Sequence, residues 1–561
     1  MTPARTGRVA DPWGERTPYA AGEPWPVRVD LHLADGVEEA TVDRWVPAAS
    51  ILHSNGDGQE IAVKDGRIVG VRGAARDRVN HGRLGPKDLY GWQANAAPDR
   101  LTRPLVRDWA PGGGDAGGSD TSGPADEARG FRACGWDEAM ETIVARTRTL
   151  MAEPGGAQKI AFYTSGQLFL EEYYTLAVIG KAGLGTPHMD GNTRLCTATA
   201  AASLRASFGT DGQPASYSDV DHCDALALWG HNVAATQAVL WMRMLDRLHG
   251  PDPPRLLCVD PRVTPVARAA ELHLAPRPGT NLALMNGLLR EVIARSWIDE
   301  AWIDRHTLGF ERLVATVAPC TPARTAEICD VAARDVEAAA ELAGTSERLL
   351  STVLQGFYQS HQATAAACAV NDLHLLRGMI GRPGAGVCQM NGQPTAQNTR
   401  ETGADGDMPG MRNWENEDHI RELAEIWNVE AARIPHDRPP THAMEIWRRA
   451  EAGEVELLWI SATNPAVSLP DLGRIREILR RPGLFVVVQD LFLTETALLA
   501  DVVLPAATWG ERRTAPSRTP TARSTTAARR STRPARRAPT WRSSSTTPAG
   551  STCATATAGR S

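Results

Sequence analysis

Residues 225–262, ALALWGHNVAATQAVLWMRMLDRLHGPDPPRLLCVDPR, decide the fold. ALALWG is an unbroken apolar run closing on Gly230, AVLWMRMLDRLHG carries its apolar residues at helical spacing, and RLLCVDPR is a second apolar run closing on Asp260 and Arg262. An apolar run without polar alternation is the signature of a strand buried on both faces. Strand, helix and strand in that order form a βαβ unit, whose crossover lays the two strands parallel. The glycine and polar residues that follow each run stand at the strands' carboxyl ends, the edge where open α/β sheets bind ligands.

The same alternation extends in both directions. A helix over about 136–152 opens the main body, KIAFYTS (159–165) reads as a strand and LEEYYTLAVIGKAG (170–183) as a helix. VELLWIS, DLGRIREILRR, LFVVVQD and ADVVLP repeat the pattern between 455 and 505. The expectation is a multidomain α/β chain with Rossmann-like parallel sheets, divided into one α/β region over 131–340 and a second over 341–511. Ahead of it, EIAVKDGRIVGVRG (60–73) reads as a hairpin with its turn at Asp-Gly, inside a small β-rich unit over 41–110. Residues 1–40 form a Pro/Gly-punctuated arm expected to attach loosely, and 111–130 a glycine-rich linker loop.

With 561 residues, 42% of them hydrophobic, the chain can bury several cores. No run of about 18 apolar residues marks a membrane span, and the N-terminus shows neither a basic-then-apolar leader nor a twin-arginine pair. A cytoplasmic protein without a membrane role is expected. Nine scattered cysteines suit reduced thiols better than a disulfide framework. The net charge of −6 hides a basic tail: residues 512–561 hold eleven arginines and no acid. That tail lacks Lys, Val, Ile, Leu, Met, Phe and Tyr, so it cannot build a core. Its abrupt Ala/Arg/Pro/Ser/Thr monotony reads as coding sequence out of frame rather than as a nucleic-acid-binding segment.

Singly, the turns after the strands are ordinary. LWGHN (228–232), CVDPR (258–262), ISATNP (460–465) and VVQD (487–490) could each cradle a phosphate or a base edge, but no GxGxxG and no P-loop accompanies them. In MDGNTRLCTATAAAS, Cys196 follows Arg194 and precedes a small-residue helix, a place where a thiolate is favoured and could bind a soft metal. A buried structural cysteine is the alternative.

Taken in order, GRLGPKDLYGWQANAAPDRLTRPLVR, SGQLFLEEYYTLAVIGKAGLGTPHMDGNTRLC, WGHNVA, VDPRVTPVARAAELHLAPRPGTNLALMNGLL, GFYQS, LHLLRGMIGRPGAGVCQMNGQP, WISATNPAVSLPD and TETALLADVVLPAATWGE resemble the molybdopterin oxidoreductases of the DMSO reductase superfamily. The likeness is closest to assimilatory and periplasmic-type nitrate reductases and spans roughly residues 42–511. It implies a bis-molybdopterin guanine dinucleotide cofactor, with Cys196 as the molybdenum ligand. The matching motifs imply cofactor contacts at Gln167, Asn192, Gly230, Asn232, Asp260, Arg262, Gly279 and Thr280. Further along they imply Gly356, Gln359, Gly392, Gln393, Asn464, Gln489 and Asp490. Lys87 matches a lysine that, in the family, lies between an iron–sulfur cluster and the pterin and assists electron transfer.

Two departures stand out. Family members bind a 4Fe-4S cluster through cysteines, whereas Ser50, His53, Asp57 and Gly85 occupy those positions here. Hard oxygen and nitrogen donors hold such a cluster poorly, so its loss is expected. The family also continues into a C-terminal β-rich domain over the cofactor nucleotides, while the likeness here stops near Glu511. The implied reaction is oxygen-atom transfer from nitrate to give nitrite, fed by an electron-donor protein or reductase subunit. A formate-dehydrogenase-like enzyme is the alternative, although Thr197 stands where that chemistry uses a histidine. A catalytically inactive remnant of the family is the third reading.

Overall fold

The structure, a computed structural model, describes residues 12–108 and 130–511. Three sheets organise them. The five-stranded sheet runs in the order Leu272–Leu274, Arg255–Val259, Ala225–Trp229, Leu349–Val353, Gly386–Gln389, and every neighbouring pair is parallel. Its central strand Ala225–Trp229 is buried at every residue, as an unbroken apolar run requires. Helices Ala238–Leu248, Asn281–Ala294, Ala333–Thr345 and Ala363–Leu376 cover the faces and close the largest hydrophobic core around them.

The seven-stranded sheet runs Phe131–Ala133, Leu105–Arg107, Val502–Pro505, Phe485–Asp490, Leu457–Ser461, Ile160–Thr164, Met189–Gly191. Its last five strands are parallel and the first two antiparallel. The two sheets interleave along the chain. The whole five-stranded sheet is inserted between Met189–Gly191 and Leu457–Ser461, so residue 340 is no sheet boundary: strands from both sides of it share each sheet. Apolar runs announce strands but not their partners, because every fully buried strand presents the same pattern.

The N-terminal sheet is antiparallel, in the order Leu31–Leu33, Arg67–Gly73, Gly58–Lys64, Arg44–Ala49. The hairpin turn lies at Asp65 and Gly66, both at positive φ (50° and 71°), the backbone that a two-residue turn needs to follow the twist of its strands. The arm departs from expectation, because residues 12–30 are clamped down. Trp25 is buried and its indole N–H donates to Asp246 (2.8 Å), while the Tyr19 hydroxyl donates to Asp221 (2.7 Å). The Arg83 guanidinium stacks 3.9 Å from the Trp25 ring. Large rings with a polar handle bury well when the handle finds a partner, and a Pro/Gly count misses that. Most of the linker loop and all of the basic tail lie outside the described residues.

Trp229 ties the central strand to its neighbour: it is fully buried, and its N–H donates to Ser351 Oγ at 3.0 Å. Trp229→Ala should cost about 3–5 kcal/mol through the cavity and the stranded hydroxyl, read as a lower urea midpoint at unchanged slope.

Candidate functional site

Parallel strands deliver their carboxyl ends to one edge, and loops from the two parallel sheets meet there. From the seven-stranded sheet, Ile160–Thr164 leads into Ser165–Gln167 and Met189–Gly191 into Asn192. From the five-stranded sheet, Leu349–Val353 leads into Gln355 and Gly356, and Gly386–Gln389 into Gly392 and Gln393. The sets interlock. Thr395 donates through its backbone N–H (3.1 Å) and its hydroxyl (2.7 Å) to Gly166 O, and Gln393 donates to Gln167 Oε1 (3.1 Å). Asn192 accepts from Gly166 N (3.2 Å) and donates to Thr463 Oγ1 (3.2 Å).

Cys196 sits on this seam. It follows the single turn Asn192–Leu195, two residues ahead of helix Ala198–Phe208. Gln355 Nε2 donates to its Sγ at 2.9 Å, and Sγ lies 3.1 Å from where a Cβ on Gly392 would stand. Gln359 donates to the carbonyls of Leu195 (2.8 Å) and Cys196 (3.2 Å), holding the loop in place. Burial pushes the thiol up, against the Gln355 amide, the Gly392 backbone and the charge of Arg400, which favour the thiolate. Arg400 is itself buried and ion-paired with Asp211.

Over the five-stranded sheet, Gly230 and Gly356 press together. Gly230 has φ 59°, and a Cβ on it would lie 2.6 Å from the Gly356 backbone. Asn281 Nδ2 donates to Gly356 O (2.9 Å). Asp260 accepts from the backbone N–H of Arg262 (2.9 Å) and pairs with its largely exposed guanidinium (3.2 Å). Gly279, at φ 89°, faces open space beside the half-buried Thr280, which donates to Arg277 O (2.6 Å). Over the seven-stranded sheet, Asn464 is spent locally: it accepts from Thr496 Oγ1 (2.6 Å) and donates to Glu495 (2.7 Å). Gln489 accepts from Ser461 Oγ (3.4 Å), and burial raises the Asp490 carboxyl above its ordinary range.

Three buried oxygens in the loops of this seam, Asn232 Oδ1, Asn391 Oδ1 and Thr197 Oγ1, have no hydrogen-bond partner. Buried polar atoms left in this state call for a ligand that donates to them. A surface cavity of about 670 Å³, lined by Asp299, Glu347, Arg377 and Arg382 among others, shares no residue with the seam.

Ser50, His53, Asp57 and Gly85 come together at the flank of the seam, joined by Asp88. His53 Nδ1 pairs with Asp57 Oδ2 (2.5 Å) and Asp88 Oδ2 (3.3 Å), and His53 Nε2 accepts from Ala238 N (3.1 Å). Ser50 Oγ accepts from His53 N (3.2 Å), and Gly85 N donates to Asp88 Oδ2 (3.1 Å). Burial alone would lower the imidazole, but the charges and hydrogen bonds of Asp57 and Asp88 outweigh it and raise it. Burial raises Asp57; Asp88 is held low because its bonds to His53 and Ser50 overcome burial. The loop reaches the seam, since Gln167 donates to Ile51 O (2.9 Å) and Ser54 Oγ to Gly392 O. Lys87 is exposed on the short helix Pro86–Gly91.

Three contributors escaped the sequence reading. Asp88 lies three residues beyond Gly85, where an acidic side chain can fold back onto the first N–H of a helix, and that spacing could have marked it. Gln355 is adjacent to the Gly356 that was singled out. Arg400 carries no local signal, because its role arises from a contact across the fold.

The sequence model of the family described as molybdopterin oxidoreductase matches residues 100–535. The chain is 36% identical over 380 residues to a nitrate reductase of Synechocystis, covering 67% of this chain and 53% of that one. It is 30% identical over 460 residues to the F420-dependent formate dehydrogenase subunit alpha of Methanocaldococcus jannaschii, covering 82% and 63%. It thus spans little more than half the length of the Synechocystis relative. Among solved structures, acetylene hydratase from Pelobacter acetylenicus superposes with a TM-score of 0.63 at 20% identity, over 83% of this chain and 63% of that one, a likeness of fold alone. No helix among the described residues is long and apolar enough to cross a membrane.

Two substitutions probe the seam. Gly230→Ala must bear both a left-handed backbone and the clash with Gly356, so we expect a loss of at least about 2 kcal/mol in urea unfolding. Gln355→Leu removes the donor to Sγ, and alkylation of Cys196 by iodoacetamide at fixed pH should slow about two- to tenfold, the worth of one hydrogen bond.

Proposed function

The chain belongs to the molybdopterin oxidoreductase family, enzymes that use molybdenum on a molybdopterin cofactor, and on that premise we propose that it reduces nitrate to nitrite at a bis-molybdopterin guanine dinucleotide centre. The observation that carries this reading is the meeting of Cys196 with strand-end loops of both parallel sheets. A cofactor with two dinucleotide arms needs two such edges, and the turns at Gly230, Asp260, Gly279 and Gly356 would hold one arm. The loops at Gln167, Asn192, Asn464 and Gln489–Asp490 would hold the other, with Gly392, Gln393 and Gln359 between them. The unpartnered oxygens of Asn232 and Asn391 fit a pterin or guanine, both rich in N–H donors. Bound there through Cys196, molybdenum supplies two-electron oxygen-atom transfer chemistry.

The chain's own residues set the conditions. Gln355 steadies the sulfur, and Arg400, buried and paired with Asp211, favours its thiolate form. Two electrons per nitrate come from a donor protein or reductase subunit. The residues at the cluster positions do not fit a 4Fe-4S centre: they offer oxygen and nitrogen in place of thiolates, and the His53 ring lies 3.1 Å from where a Cβ on Gly85 would stand. Delivery without that cluster follows, and Lys87 then has no cluster to serve.

The relative from Methanocaldococcus jannaschii favours formate oxidation as the second reading. Chain produced in a host that makes the pterin should hold about one molybdenum and reduce nitrate with reduced methyl viologen, and Cys196→Ala should abolish the turnover while leaving the melting curve intact. Formate oxidation without nitrate reduction would transfer the assignment to the second reading. Absence of molybdenum and of both activities would sink it and leave an inactive member of the family.

A further inference from the structure

We propose that Lys181 is a positioning residue for Cys196: through the turn at residues 405–407 it ties the segment ahead of the cysteine to the helix that carries Arg400. The proposal rests on the reading of Cys196 as the reactive ligand, and its test needs neither molybdenum nor nitrate. Lys181 stands on Val178–Leu184, a stretch of π-helix that continues helix Leu170–Ala177. The wider π turn faces three consecutive residues inward, Gly180, Lys181 and Ala182, all of them buried. Such π turns are rare and gather at functional sites.

The side chain is directed wholly at the backbone. Nζ donates to the carbonyls of Asp405 (2.8 Å) and Asp407, and no carboxylate pairs with it among the described residues. Burial lowers the amine to about 8, against the charges of Asp405, Asp407 and Asp190. A buried ammonium without an ion-pair partner opposes folding, whereas an apolar side chain of similar length would pack there without that penalty. What the lysine supplies is arrangement: two donors that fix the path of residues 405–407.

The same turn gathers two more cations from the segment that bears Cys196. Arg205, on helix Ala198–Phe208 just beyond the cysteine, pairs with the Asp407 carboxylate. Arg194, two residues ahead of the cysteine, pairs with Asp190 at 2.8 Å and reaches within 3.9 Å of where a Cβ on Gly406 would stand. Asp407 N closes the turn on Asp405 Oδ1 (3.0 Å), and Gly410 N returns to Glu401 O (2.7 Å) on helix Ala396–Thr402. Residues 181, 194 and 205 thus bracket Cys196 and converge on a turn some 200 positions away. The side chains of Arg205 and Arg194 are 45% and 34% exposed, so of the three contacts only that of Lys181 is sealed from water. Without it the turn is held from its solvent side alone, and the Cys196 loop loses its backing.

The test is peptide-resolved hydrogen exchange on the full chain, wild type against Lys181→Met, which keeps the length of the side chain and removes its donors. The melting temperature should stay within about 5 °C, because an apolar side chain replaces a buried charge. Exchange over residues 403–411 should rise about tenfold or more, exchange over 192–198 should rise with it, and strand Ala225–Trp229 should keep its protection. Lys181→Arg, which restores charge and donors, should return both peptides most of the way to wild type. A turn that does not loosen, a 192–198 peptide that stays protected when the turn loosens, a loss of protection that spreads to Ala225–Trp229, or an arginine no better than methionine would each overturn the proposal. Should Lys181→Met not fold, the wild-type chain decides: the two peptides share one tether and should match in protection within about fivefold, and a wider gap overturns the proposal. A chain that holds no molybdenum and reduces no nitrate would end the functional reading and leave these exchange results standing.

Discussion

Parallel strands all end on the same edge, and the arrangement of this chain depends on two such edges being locked to each other. The lock is a set of backbone contacts. Thr395 bonds Gly166 across the seam, and within the five-stranded edge Gly230 and Gly356 approach so closely that neither tolerates a side chain. Cys196 is presented by a loop whose carbonyls are held by Gln359 and whose sulfur is held by Gln355. The chemistry is therefore borne by turns, which are free to carry unusual residues because the sheets beneath them are rigid.

Ion pairs made by buried aspartates reinforce this geometry. Arg243 meets Asp221 at 2.6 Å, Arg194 meets Asp190 at 2.8 Å, and Arg400 pairs with Asp211. Taking such charges out of water costs roughly what their attraction returns, so their main effect is on arrangement: removing one partner leaves the other charged and unpaired. Arg243 and Asp221, with Tyr19, hold the N-terminal segment to the five-stranded sheet, while Arg194 and Arg400 brace the neighbourhood of Cys196.

The α/β class and the parallel strands were legible because fully buried strands, such as Ala225–Trp229, leave unbroken apolar runs. The family was legible because its motifs keep their order. The pairing of strands was not, since Leu457 and Ile160 are partners without any local mark of it. The site was legible in the same uneven way. Cys196 and the strand-end glycines sit in short motifs, whereas Arg400 reaches the seam only through tertiary folding. At the N-terminal loop, only the likeness to the family's cysteine positions marks Ser50, His53, Asp57 and Gly85. Asp88, which completes the cluster, belongs to no cysteine position and was passed over.

The insertion of one sheet within the other orders the birth of the protein. Ile160–Thr164 must wait for a partner strand roughly 300 residues further on, and closing so long a loop makes the seven-stranded sheet the slow step of folding. The five-stranded sheet lies within one continuous stretch, Ala225 to Gln389, and can assemble as that stretch leaves the ribosome. Until Leu457–Ser461 is made, the edge of Ile160–Thr164 opposite Met189–Gly191 stays unpaired, an aggregation hazard during synthesis. The same delay has a use: the seam around Cys196 closes last, so a large cofactor can be inserted before the two edges come together.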